Sequence, residues 1–500
     1  MALGALLAGI DVGTTHVKVG FFDEEGRCAA SVRRPTPRDL PGLVAAVSSG
    51  LAECASRAGR GPRAIGIAGM AETGVPLDRS GRPLTPLLWW NDPRGATELA
   101  ALDLDAAALY AVTGRRADAK APLAKWLWLR AHAPGALERM RWWASVPDAV
   151  AYALTGTLRT HETLAARTLA YDVRRQAYDE DLLRPAGLSP GQLPPTAGSA
   201  EPVGPLTAPV SGLTPGIPVV IAGHDHAVGA WAAGVRRPGG VADSLGTAEA
   251  VMLPALAPPD PGAAFALGVT TDPSLDGRGT VLVGGLPTSG ALLDWLLGLL
   301  PGGAAGERPA PDPPEARSGD DGLAPMPPPG PPGAGRYGAL PGLLDGVRLP
   351  TGIIVEPYLR GRAAPAPDRG RRVTVAGLGA GHTAGDLLAA AIEGTCLHVR
   401  WTVEEITALA GVVPGRLVMF GGQVRIPLWT RVKAAVSTMP VDVVGSGDAV
   451  CAGAALIAGQ AGGSLDDVPV LPAERHRADP ALTAAYASQY ERFLASARPD

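Results

Sequence analysis

The stretch Ile217-Pro-Val-Val-Ile-Ala-Gly-His-Asp-His226 joins an apolar run to the small-residue run Ala227-Val-Gly-Ala230. A buried strand feeding a glycine and then a helix puts a carboxylate at a strand's carboxyl end, where α/β proteins gather their ligands. Asp225 is therefore a candidate general base. An Asp in that place also caps helices, and a helix is expected from about Ala227. The stretch alone leaves both readings open.

Outward from it, the same grammar recurs. Residues 6–10 read as a buried strand, Val12-Gly-Thr-Thr15 as a turn, and residues 16–22 alternate, with Val17, Val19 and Phe21 on one face. The turn Asp23-Glu-Glu-Gly26 leads to a third strand over 27–32, followed by a helix over 41–58 and a strand over 64–68. Strand, strand, strand, helix, strand is a mixed α/β sheet. Beyond Ala222, residues 239–252 again read strand, Gly-Thr turn, strand, with Asp243-Ser-Leu-Gly-Thr247 echoing Asp11-Val-Gly-Thr14. This is a weak internal duplication.

Five hundred residues exceed one hydrophobic core, so two domains are expected. A net charge of -4 lacks the basic footprint of a nucleic-acid or membrane-surface binder. Cys28, Cys54, Cys396 and Cys451 are too scattered for a disulfide framework or a zinc site. The apolar opening lacks a basic n-region, and no apolar run is long enough to span a bilayer. A cytoplasmic protein acting on small molecules is expected. Only four of the 44 basic residues are lysines, which makes Lys18 conspicuous.

Helical spacing marks residues 99–112, 122–133 and 148–154, whose aromatics (Trp126, Trp128, Trp142, Trp143, Tyr152) read as packing. Eleven prolines within 301–334 exclude a packed helix or a central strand, so a disordered surface insertion is expected over about 301–340. Further helices are expected over 384–408, 427–436, 448–459 and 480–496, with a strand over 416–420.

Three separated pieces suit phosphoryl transfer, which needs donors around phosphate, a carboxylate for a metal and a base. In the turn after Asp11, Gly13 lets the backbone approach phosphate, and Thr14 and Thr15 offer hydroxyl and N–H donors. Lys18 adds a positive charge. Gly246-Thr247 offers a second such turn, and Gly421-Gly422, between a strand and a helix, lets a nucleotide lie against bare backbone. Each piece by itself is equally an ordinary turn.

Together, in this order, they resemble the FGGY carbohydrate kinase family over nearly the whole chain. Residues 11–18 resemble its first phosphate motif, and Ser244-Leu-Gly-Thr247 its second. Trp90-Asn-Asp-Pro-Arg94 is similar to its sugar-side motif, and Gly223-His-Asp225 to the Gly-x-Asp that carries its base. Residues 125–129, Pro147-Asp148, Leu154-Thr-Gly156 and 168–172 are similar to its helical insertion. Thr288-Ser-Gly-Ala291 with Trp295, residues 357–365, Ile392-Glu-Gly394 and Phe420-Gly-Gly-Gln423 resemble its nucleotide-side motifs and second signature.

The resemblance implies an α/β fold of two ribonuclease-H-like domains, of the actin and hexokinase type, around a cleft. The amino-terminal domain would occupy residues 1–242 and the ATP-binding domain 243–500. It implies ATP and Mg²⁺, with Asp225 as base and Asp11 and Asp225 toward the metal. Asp11, Gly13, Thr14, Thr15, Lys18, Gly246, Thr247, Gly290, Gly421, Gly422 and Gln423 would hold the nucleotide.

Ala71, Glu72, Trp90, Asn91, Asp92, Arg94, Asp225 and His226 would face the sugar, while His224 reads as a local structural residue. The acceptor expected is a xylulose-type ketopentose. Glu72, where the glycerol-kinase branch has a glutamate, favours glycerol, erythritol or a hexulose instead. Rival readings are a non-catalytic sugar- or nucleotide-binding protein and an actin-like ATPase. A homodimer is expected only from the resemblance, and no nucleic-acid or membrane partner is expected.

Overall fold

The computed structural model describes residues 5–300, 339–445 and 448–498. The expected proline-rich insertion falls, but for its last two residues, outside them.

The first sheet opens with strands β1 (Leu7–Val12), β2 (His16–Phe22) and β3 (Cys28–Pro35), paired antiparallel in that order. Strand β4 (Ile65–Gly69) runs parallel to β1 on its other side. The edge is completed by the short β5 (Gly204–Pro205) and by β6 (Pro218–His224), which runs parallel to β4. β1 and β4 are buried along their whole length, as strands covered on both faces must be, while β3 alternates exposed and buried at the edge.

Helix α1 (Leu40–Ala58) starts on Asp39, which accepts the Gly42 N–H, and stops at Gly59 in the left-handed conformation. Its buried residues Leu43, Val47, Leu51 and Cys54 recur every three or four positions and face the sheet. An inserted helical region supplies α2 (Pro122–His132) and α3 (Val146–Thr155). Residues 99–112 are not one helix but two, Ala96–Ala100 and Ala106–Thr113. Asp103 breaks the run at φ 45°, and Asp105 caps the second helix through the Ala107 and Ala108 N–H groups.

Helix α4 (Asp225–Ala232) leads to the second sheet. This comprises β7 (Gly240–Leu245), β8 (Glu249–Ala255), β9 (Thr270–Pro273), β10 (Thr280–Leu286), β11 (Arg416–Gly421), β12 (Val441–Val444) and β13 (Ala473–His476). The order across it is β9-β10-β8-β7-β11-β12-β13. β7 and β8 are an antiparallel hairpin, and β11 and then β12 run parallel to β7, so β2-β1-β4-β6 and β8-β7-β11-β12 share one topology. The duplication expected from the two Gly-Thr turns is thus repeated strand for strand.

The second half adds helices α5 (Gly290–Leu299), α6 (Ala384–Ala410), α7 (Pro427–Val436), α8 (Ala449–Ala461) and α9 (Pro480–Ala497). α1 and α3 cover the outer face of the first sheet, and α6 and α7 that of the second, with α5 packed on α6 and α9 on both. The layer between the sheets is exchanged. α8, from the second half, lies on β1, β4 and β6, while α4, which follows β6, packs against β7 and β11.

Small residues permit this close approach. A Cβ at Gly9 or Gly66 would overlap the carbonyls of Cys451 and Ala454 in α8, and Gly229 of α4 lies against Phe420. Among the described residues no helix is long and apolar enough to cross a membrane.

Candidate active site

The turn between β1 and β2 is closed by the Gly13 N–H donating to the His16 carbonyl at 3.1 Å, and the Thr36 hydroxyl donates to the Gly13 carbonyl at 2.7 Å. Asp11, near the end of β1, stands opposite Lys18 of β2. Lys18 Nζ is 3.3 Å from Asp11 Oδ2 and 3.5 Å from Oδ1 of Asp448, the residue before α8. Burial opposes the charge on Lys18, but Asp11 and then Asp448 outweigh it and raise its pKa.

Burial also raises the Asp11 pKa; Lys18 pulls it down, and the charge of Asp225 raises it again. The two carboxylates therefore share one electrostatic neighbourhood at the carboxyl ends of β1 and β6. Oxygen donors whose negative charges oppose each other fit a hard dication such as Mg²⁺.

The last residue but one of β6 is Gly223, whose φ of 124° and closeness to Thr163 Oγ1 (2.8 Å from an added Cβ) leave no room for a side chain. α4 then begins at Asp225 itself, two residues before the expected start, with His224 in the capping position and making no side-chain cap bond. Asp225 Oδ1 accepts the His226 N–H at 2.7 Å, from inside the first turn and not from the cap position. The carboxylate remains partly exposed, its side chain 23 % accessible. His224, expected as a local structural residue, has its Nε2 3.1 Å from Oδ1 of the neighbouring Asp225. Its Nδ1 lies 3.3 Å from Arg167 Nη2, and its N–H donates to Thr163 Oγ1 at 2.9 Å. Burial first, and then Arg167, push its pKa well below the ordinary histidine value.

Of the residues expected to face a sugar, Ala71 and Glu72 follow β4 and are buried. Glu72 Oε1 is 3.3 Å from Arg167 Nη1. Trp90 donates its N–H to Thr73 Oγ1 at 3.1 Å and its indole Nε1–H to Thr14 Oγ1 at 2.9 Å. Asp92 and Arg94 close on each other: the Arg94 N–H reaches Oδ1 at 2.9 Å and Nε reaches Oδ2 at 2.6 Å, while the guanidinium lies over Trp128. Lys125 donates to the Asp92, Arg94 and Ala119 carbonyls. Glu72 thus meets Arg167, Trp90 joins Thr73 to Thr14, Asn91 is half-buried beside Trp90 in sequence, and Asp92 pairs with Arg94 in the same loop.

On the other side, His226 Nδ1 is 2.9 Å from Ser244 Oγ, which joins the first turn of α4 to the strand feeding the second Gly-Thr turn. The Ser289 and Ala291 N–H groups donate to the Thr247 carbonyl at 3.0 and 3.1 Å, and Gly290 N–H to the Gly246 carbonyl at 3.1 Å. Gly421 pairs with Leu245 at φ 109°, where a Cβ would strike the Leu245 carbonyl. Gln423, in the 3₁₀ turn Gly422–Arg425, reaches Gly290. Gly246, Thr247, Gly290, Gly421, Gly422 and Gln423 are therefore brought to one place.

Sequence reading missed several residues. Arg167 Nη2 is 3.1 Å from Asp272 Oδ2 of β9, and Arg115 pairs with the same carboxylate while its Nε donates to the Ala166 carbonyl at 2.9 Å. Lys433 of α7 is enclosed between Asp243 (2.8 Å) and Glu249 (2.7 Å), and Glu249 also accepts from Ser289 at 2.8 Å. Burial opposes the charge on Lys433, but the two carboxylates outweigh it and raise its pKa. Asp243 is thus a core partner, unlike its sequence counterpart Asp11. The scarcity of lysine could have flagged Lys433; nothing marked one arginine among many.

Two family models match the chain: the N-terminal domain of the FGGY family of carbohydrate kinases over residues 6–232, and its C-terminal domain over residues 241–462. A relative described as L-fuculokinase, from Escherichia coli (strain K12), is 27% identical over 262 residues, which is 49% of this chain and 55% of the relative. A xylulose kinase of Streptomyces rubiginosus is 32% identical over 263 residues, 50% of this chain and 54% of that protein. The chain thus spans about half the length of the curated relatives it matches. The crystal structure of xylulose kinase from Rhodospirillum rubrum superposes with a TM-score of 0.80 over 98% of each chain, at 25% identity.

Proposed function

We propose that this chain, which belongs to the FGGY family of carbohydrate kinases, transfers the γ-phosphoryl group of ATP to a hydroxyl of a small sugar, a ketopentose of the xylulose type. The observation that carries the reading is the Asp225 carboxylate at the end of β6, coupled to Asp11 at the end of β1 and joined through His226 to Ser244. The relatives named xylulose kinase support the acceptor, and that named L-fuculokinase widens it.

Asp225 accepts the proton of the acceptor hydroxyl as that oxygen attacks the γ-phosphorus. Donors of Thr14, Thr15 and Thr247 face the phosphoryl oxygens, Gly13 and Gly246 leave the backbone bare beside them, and Lys18 adds positive charge. Gly290, Gly421, Gly422 and Gln423 offer an open backbone surface to the nucleoside. Ala71, Glu72, Trp90, Asn91, Asp92, Arg94 and His226 line or brace the sugar side. Asp11 and Asp225 would hold Mg²⁺, which supplies charge neutralisation at the phosphates. Residues 1–242 form the sugar half and residues 243–500 the nucleotide half.

A polyol acceptor is the second reading, favoured by Glu72, whose buried carboxylate beside Arg167 can accept two hydroxyl hydrogen bonds. The test is ADP release from Mg-ATP across ketopentoses, ketohexoses, aldoses and small polyols, with Asp225→Asn beside the parent. Stimulation by one compound, reduced about 10³-fold in the variant, is expected. ATP binding with no stimulation by any compound would overturn the kinase reading in favour of a binding protein.

A further inference from the structure

We infer that Ser289 and Glu249, anchored by Lys433, are positioning residues for the second Gly-Thr turn. They hold the Gly246 and Thr247 carbonyls on the first turn of α5, and so aim the Thr247 and Ala248 N–H groups at a nucleotide's phosphates. The inference rests on the proposed reading of that turn as a phosphate site.

The Ser289 and Ala291 N–H groups donate to the Thr247 carbonyl at 3.0 and 3.1 Å, and the Gly290 N–H to the Gly246 carbonyl at 3.1 Å. In a planar trans peptide the N–H points opposite to the C=O. With both carbonyls turned onto α5, the N–H groups of Thr247 and Ala248 point away from it. Thr247 is exposed, and among the described residues neither N–H has a protein acceptor. The Gly246 N–H is spent on the Ala248 carbonyl at 2.9 Å. The donors left for an anion are therefore those two N–H groups and the Thr247 hydroxyl.

What keeps the carbonyls in place is buried behind the turn. Ser289 stands in the cap position of α5, where a serine ordinarily accepts an N–H of the first helical turn, yet it makes no cap bond. Its hydroxyl donates instead to Glu249 Oε2 at 2.8 Å. The other oxygen of Glu249 accepts from Lys433 Nζ at 2.7 Å, and the same ammonium makes a charge contact with Asp243 Oδ2 at 2.8 Å. Asp243 lies on β7 and Glu249 on β8, so one cation of α7 grips both strands flanking the turn. All four residues are buried, where charge-assisted hydrogen bonds are strong. Glu249 and Lys433 act through Ser289 and the hairpin backbone.

The experiment is calorimetric titration of the full-length protein with Mg-ATP and with adenosine, in the parent, Ser289→Ala, Ser289→Thr and Glu249→Gln, with Tm as the check of folding. Ser289→Ala removes only the hydroxyl bond to Glu249. It is expected to weaken Mg-ATP about fivefold to twentyfold while adenosine stays within about twofold, and Ser289→Thr, which restores the hydroxyl, to recover most of the loss. Glu249→Gln, with one acceptor oxygen for two donors, should show the same selective loss. A parent-like affinity for Mg-ATP in Ser289→Ala, or an equal loss toward adenosine, would overturn the inference and leave the nucleotide reading standing. A parent that binds no Mg-ATP would overturn that reading, and the inference with it.

Discussion

The indole of Trp90 donates to the hydroxyl oxygen of Thr14 across 2.9 Å, so the loop proposed to face the sugar and the turn proposed to face phosphate meet in one hydrogen bond. Trp90→Phe keeps an aromatic ring and removes the donor. A hydrogen bond of this kind is worth about 1 kcal/mol net. The expected outcome, read by steady-state kinetics, is a several-fold fall in kcat/KM for the acceptor with the fold retained.

Gly290→Ala probes the opposite side. Its Cβ would stand 2.6 Å from the Gly246 carbonyl and push against Gln423, spreading the second turn from the start of α5. The KM for ATP should rise about tenfold or more, a shift of about 1.4 kcal/mol, while the acceptor KM holds. Equal rises in both would place Gly290 in general packing.

What was legible in the chain was whatever is local. The Gly-Thr turns, Gly223 ahead of Asp225 and the helix starting at Pro427 are each written in a few adjacent residues, and the strands over 16–22 and 416–421 follow from alternation or an apolar run. Asp105 was a readable cap that ended the single-helix reading of 99–112. The pairs that organise the cleft were not legible. Arg115 meets Asp272, and Lys433 meets Glu249, across more than a hundred residues each, and no periodicity encodes a partner at that distance.

Lys433→Met should be severely destabilising. It leaves Asp243 and Glu249 enclosed without their cation, and breaking a buried ion pair from one side costs about 3–5 kcal/mol. Denaturant unfolding is the measurement. Adding Asp243→Asn and Glu249→Gln to the same chain should return part of the loss, because no charge then remains to be compensated.

Asp148 gives a pH dependence of known sign. It sits fully buried in the capping box of α3, and burial pushes its pKa up to about 7, opposed by its hydrogen bonds to Ser145. A carboxyl with a raised native pKa holds its proton in the folded state after the unfolded chain has lost it. Its contribution to stability therefore falls as pH rises from about 4 to about 7, by at most about 4 kcal/mol for about three pKa units. Asp148→Asn, which keeps an acceptor for the Ser145 N–H, should flatten that part of the curve of unfolding free energy against pH.

Gly66→Ala places a methyl group inside the backbone of α8 at Ala454, whereas Gly135→Ala meets nothing within 4 Å. The first should cost at least about 2 kcal/mol by overpacking, and the second should be neutral or slightly stabilising, both read as shifts in Tm.

The exchange of α4 and α8 between the sheets sets a timetable for synthesis. Strands β1, β4 and β6 leave the ribosome early, yet the helix that covers their inner face ends only at Ala461. The first sheet waits, with an apolar flank open to other nascent chains, until translation has passed Ala461. A gene cut between the halves would make that wait permanent, and mixing the two fragments would restore the protein only if the late helix found the early sheet before another exposed surface did.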